Sequence, residues 1–75
     1  MTNKSINSLF GKRLKALRLE RNISAAEFQK LSGISPEVLD QYEAGKFEPM
    51  LTTMETIAKA LKINLVDLLD FDTND

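Results

Sequence analysis

The 75-residue chain contains no cysteine and no histidine. Without cysteine neither disulfides nor thiolate metal sites can form, and without histidine the usual zinc ligand sets fall away as well. The same absences remove the common general bases and nucleophiles, and short helices offer no evident pocket, so an enzyme is not expected. Scattered Ser, Thr and carboxylate residues are accounted for by helix caps, and the carboxylates do not cluster at ligand spacing. No metal and no cofactor are therefore expected. No apolar run approaches a bilayer span, and the opening MTNKSINS lacks the apolar segment of a secretory signal. The expectation is a soluble protein of the reducing cytoplasm with no membrane partner. Repeats, low-complexity stretches and linkers are also missing, so the chain reads as one small domain. Such a chain buries only roughly 60 to 65% of the surface exposed on unfolding, which makes oligomerisation a natural source of stability.

No segment has strand periodicity, and helix signals run the whole length, so the fold class is all-α with five helices. Phe10, Leu14 and Leu17 recur at i, i+4 and i+7, which predicts a first helix from about Ser8 to Arg21, ended by Asn22. Ser24 and Glu27 form an S-x-x-E capping box for a second helix reaching Ser32, with Phe28 and Leu31 inward. Gly33 supplies a left-handed stop, Ser35 an N-cap and Pro36 a first helical residue whose missing N–H costs nothing. The third helix ends near Ala44 with Gly45 as its stop. After KFEPML, Thr52 and Glu55 form a second capping box, predicting a fourth helix over about Thr53 to Lys62. Asn64 caps a fifth, from Leu65 to about Asp70. The expected organisation is an arm (1–7), a helical domain (8–70) and an acidic tail (71–75).

The net charge of −1 argues against strong non-specific attraction to DNA, but its distribution is uneven. Residues 1–21 carry Lys4, Lys12, Arg13, Lys15, Arg18 and Arg21 against Glu20. Residues 22–45 set Lys30 against Glu27, Glu37, Asp40 and Glu43, and the end of the chain holds Asp67, Asp70, Asp72 and Asp75. Either the first segment is a functional basic patch, or both ends are solvated faces that attract one another.

FGKRLKALRLERNIS, EFQKLSGIS, YEAGKFEP and TIAKALKINLVDLL, in that order, resemble the Cro and lambda-repressor-like helix-turn-helix family over about Phe10 to Leu69. The resemblance implies a helix-turn-helix motif over residues 24–43 that docks on double-stranded DNA. Its third helix would enter the major groove while the second bridges the backbone, and a homodimer would read an inverted repeat. It also implies an ion pair between Arg18 and Glu43, and phosphate or base contacts from Ser24, Ala25, Ser35, Pro36, Glu37, Val38, Asp40, Gln41 and Lys46. The chain departs from the family where Ala25 replaces a Gln that grips phosphate, and where Gln29 replaces a small residue packed on the third helix. Either the helices splay or Gln29 turns its amide to solvent. Phe47 and Glu48 also replace polar or basic residues beside Lys46.

Helical geometry independently sorts the third helix. At 100° per residue, Leu39 and Tyr42 point inward, Glu43 lies about 40° from Leu39, and Glu37, Asp40 and Gln41 face out, with Pro36 and Val38 flanking. The outward face is thus acidic. A carboxylate about 7 Å from a phosphate is repelled by roughly 0.6 kcal/mol in water-like dielectric. Against that, Glu and Asp can accept from cytosine N4, and Gln41 can bridge adenine N6 and N7. Two functions follow: a sequence-specific DNA-binding regulator, or an interaction module of the same fold that docks a basic protein partner through this acidic face. Phe47, Met50 and Leu51 either close the bottom of the core or open a dimer seam that Leu65, Val66, Leu69 and Phe71 could extend.

Overall fold

A computed structural model describes residues 5–71. The described chain forms α1 (Ile6–Glu20), α2 (Ala25–Ser32), α3 (Pro36–Glu43), α4 (Leu51–Leu61) and α5 (Leu65–Leu68), with no strand among the described residues. Residues 1–4 of the expected arm and 72–75 of the acidic tail lie outside them.

Each helix is bounded by local chemistry. Ser5 Oγ accepts from the Ser8 amide at 3.1 Å, so α1 starts two residues earlier than its apolar stripe predicts. At its other end Asn22 takes a left-handed φ of 57°, and the Asn22 and Ile23 amides return to the Leu19 and Arg18 carbonyls. That paired return is a Schellman stop with asparagine in the position usually given to glycine. Ser24 Oγ accepts from the Glu27 amide at 3.0 Å, so the serine half of the first capping box forms; no return bond from the Glu27 carboxylate accompanies it. Gly33 ends α2 at φ 81°, and the Ile34 amide turns instead to Ser32 Oγ.

The second capping box does not form. Met50 is the N-cap of α4 and makes no side-chain cap bond, while Thr52 lies inside the helix and its carbonyl accepts from Thr56 Oγ1 at 3.1 Å. The Met50 carbonyl already accepts from the Met54 amide, which fixes Thr52 in helical backbone where its hydroxyl cannot cap. The other end of α4 is stopped by Lys62 at φ 60°, with Ile63 N–H returning to the Ala58 carbonyl. Asn64 Oδ1 caps α5 by accepting from Asp67 at 2.9 Å.

The core is one cluster drawn from every helix: Phe10, Leu14 and Leu17 of α1, Phe28 of α2, Leu39 of α3, Ile57 and Leu61 of α4, and Leu68 of α5. Leu31 departs from its expected inward place and is half exposed. Helix α2 meets the core through Phe28, and Leu31, one turn on, falls at the rim of a cleft beside Ile23 and Leu61. Gln29 is exposed, which resolves its alternatives in favour of an amide in solvent. The core-closing role for Phe47, Met50 and Leu51 is likewise corrected, because all three are exposed, Met50 at 70%. Phe47 only leans edge-on against Tyr42, with ring centroids 5.6 Å apart.

Candidate nucleic-acid interface

The turn between α2 and α3 is short because Gly33 stops one helix and Ser35 caps the next. Ser35 Oγ accepts from the Val38 amide at 3.3 Å, and Pro36 opens the helix with its fixed φ. Leu39 is fully buried and Tyr42 half buried against the core, which fixes the azimuth of α3. Glu37, Val38 and Asp40 are consequently exposed and Gln41 half exposed, as the 100° rotation per residue requires. Pro36 and Ser35 flank them, half buried. Ser24 is exposed and Ala25 half buried at the start of α2, whose first amides have no helical acceptor. Lys46 is exposed just after the Gly45 stop, with its amide bonded to the Gln41 carbonyl at 2.9 Å.

A second constraint sets the tilt of α3 relative to α1. Arg18 Nε donates to Glu43 Oε2 at 2.7 Å and its Nη2 to Oε1 at 3.2 Å, while Nη1 donates to the Ile23 carbonyl at 2.8 Å. Both side chains are about nine-tenths covered. The hydrogen bond to Glu43 raises the Arg18 pKa, burial opposes it, and the charge of Glu43 adds to the rise. This fork holds both helices and the entry to α2 in one rigid triangle.

Sequence reasoning did not find the contact of Arg13, whose Nε and Nη2 both donate to the Asp67 carbonyl, at 3.2 and 2.8 Å. A backbone acceptor leaves no mark in residue type, so no signal could have found it. This bond ties α1 to α5. Around the far end of the molecule, Val66 is 77% exposed, Leu69 is partly exposed, and Leu65 and Phe71 pack partly on the core. Leu69 and Phe71 also flank an apolar groove of about 310 Å³ with Ile6, Phe10, Pro49 and Met54. The described residues contain no helix long and apolar enough to cross a membrane.

The profile of the helix-turn-helix family matches residues 14–68, from α1 to the last residue of α5. The chain belongs to the helix-turn-helix family. Among relatives of this helix-turn-helix protein is the immunity repressor protein of Bacillus phage phi105, 30% identical over 63 residues. The match covers 84% of this chain and 44% of that repressor, so the chain spans less than half of its relative's length. Among solved structures, the restriction-modification controller protein C.AhdI from Aeromonas hydrophila is 30% identical, with a TM-score of 0.77 over 81% of this chain and 92% of that one. The clp gene regulator ClgR from C. glutamicum shares the fold at 22% identity, with a TM-score of 0.86 over 91% of this chain and 87% of its own.

Proposed function

We propose that this protein is a sequence-specific DNA-binding transcriptional regulator of the cytoplasm, acting as a homodimer on an inverted-repeat site with no catalytic role. The observation that carries the reading is the α2–α3 unit, whose caps, Gly33 stop and Arg18–Glu43 fork fix the direction of an outward face on α3. In this reading α3 lies in the major groove, and the Ala25 and Ala26 amides at the start of α2 approach a phosphate. Lys46 and the lysines of α1 supply the counterion-dependent attraction. The names of the relatives, a repressor and a controller protein among them, point the same way. The exposed seam residues Phe47, Met50, Leu51, Leu69 and Val66, with Leu65 and Phe71 beneath them, supply the two-fold contact.

Selection from a randomised duplex library at low and moderate salt tests the reading. An enriched inverted repeat, bound with an affinity that falls steeply with salt, is the expected result. If nothing is enriched even at low salt, the DNA reading fails. The exposed carboxylates of α3 then favour docking to a basic protein.

A further inference from the structure

The outward face of α3 contains no cation. Its exposed polar groups are the carboxylates of Glu37 and Asp40, with the half-exposed amide of Gln41 beside them. Among the described residues the ion pairs are Arg18–Glu43 and Arg21–Glu20, so neither Glu37 nor Asp40 is neutralised by a neighbour. Asp40 lies 60° around the helix from Glu37, and about 4.5 Å along its axis. Side chains three residues apart on a helix are neighbours, with roughly 5 to 6 Å between Cβ atoms, so the pair can address neighbouring base pairs.

Resting on the DNA-binding reading above, we infer that Glu37 and Asp40 are the specificity-determining residues, and that they select half-sites in which adjacent base pairs present the cytosine N4 amino group in the major groove. An ionised carboxylate only accepts hydrogen bonds. Cytosine N4 and adenine N6 are the amino donors on that edge, whereas guanine N7 and O6 and thymine O4 are acceptors. Adenine N6 stands between two acceptors, its own N7 and the paired thymine O4, and N7 repels a carboxylate and suits the amide of Gln41 instead; cytosine N4 has the C5–H on one side and a single acceptor, the paired guanine O6, on the other. A base pair that turns acceptors toward Glu37 or Asp40 therefore leaves a desolvated charge facing a lone pair.

The same carboxylates act against random DNA. Each is repelled by the flanking phosphates without a compensating hydrogen bond, so they lower non-specific affinity while raising the affinity for one sequence. Glu37→Gln and Asp40→Asn keep size and remove charge. Their effects on the two kinds of DNA must consequently have opposite signs, which partial unfolding cannot imitate because it weakens both.

The experiment is selection by the full chain from randomised duplexes, followed by titration of the enriched duplex and of a random-sequence pool with the wild type, E37Q and D40N. The wild type is expected to enrich cytosine at neighbouring positions of each half-site, and N4-methylation of those cytosines to weaken binding roughly tenfold. Each variant should lose roughly tenfold on the enriched duplex and gain roughly threefold on the random pool. Half-sites enriched without cytosine overturn the inference, as do variants that shift both affinities by the same factor. A wild type that enriches no sequence removes the DNA-binding reading and this inference with it.

Discussion

Gly11 of α1 lies directly against the end of α3, where a β-carbon added to it would stand 2.6 Å from the carbonyl oxygen of Glu43 and closer still to that of Tyr42. The neighbours are backbone atoms at the helix end that also holds the Arg18–Glu43 fork, so they cannot swing aside. Alanine in a helix is favoured over glycine by roughly 0.5 to 1 kcal/mol, but overpacking against rigid atoms costs about 1 to 3 kcal/mol. The steric term wins. Gly11→Ala should lower stability in urea denaturation despite its better helix propensity, and an unchanged or raised midpoint would show that α1 and α3 can separate freely.

The Arg18–Glu43 pair is predicted to be strongly coupled. Arg18→Met strands a nine-tenths covered carboxylate and frees the Ile23 carbonyl, a loss of about 3 kcal/mol. Adding Glu43→Leu removes the stranded charge, so the double variant should be more stable than the sum of the two single losses. Because the folded pKa of Arg18 is raised, its contribution is complete below the unfolded value and is lost only as pH rises through the folded one. The guanidinium therefore adds no slope to stability between about pH 5 and 9. A double-mutant cycle with strict additivity would show that the fork contributes no coupling.

Ser24 and Thr52 begin similar S/T-x-x-E patterns, yet Ser24 alone caps a helix. Ser24→Ala should cost about 1 kcal/mol through the lost bond to the Glu27 amide. Thr52→Ala should be neutral or slightly stabilising, since Thr52 makes no cap bond and alanine is the better helix former. Equal losses at the two sites in thermal melts would restore Thr52 as a cap.

These contrasts define what could be read from residues alone. Ser24, Ser35 and Asn64, and the stops at Asn22, Gly33 and Gly45, act within a few residues of themselves, and their chemistry names their role. The face of α3 was legible too, because burying Leu39 fixes every other azimuth on a rigid helix. Thr52 misled because the capping pattern also occurs within the first turn of a helix, and Lys62 gave no stop signal because lysine has no preference for left-handed backbone. Phe47, Met50 and Leu51 were ambiguous for another reason: apolar composition in a loop says that water is to be avoided, but not whether the chain or a second copy will cover it. Arg13 bonds a carbonyl remote in sequence, which depends on packing rather than on residue identity.

The proposed dimer seam makes Val66 a test of self-association. Val66 is 77% exposed on α5, so in the free protomer it contributes little, and changing it should alter monomer stability by no more than about 0.5 kcal/mol. If it is buried against a two-fold mate, each copy loses about 1.5 to 3 kcal/mol of apolar transfer when it is made charged. A symmetric contact also brings like charges together whichever sign is chosen. Val66→Glu and Val66→Lys should therefore both weaken self-association by tenfold or more in sedimentation equilibrium. An effect on DNA affinity arising only from phosphate electrostatics would instead have opposite signs for the two variants. Matching losses in dimerisation and in affinity for a palindromic duplex identify Val66 as part of the seam, and unchanged sedimentation in both variants removes it.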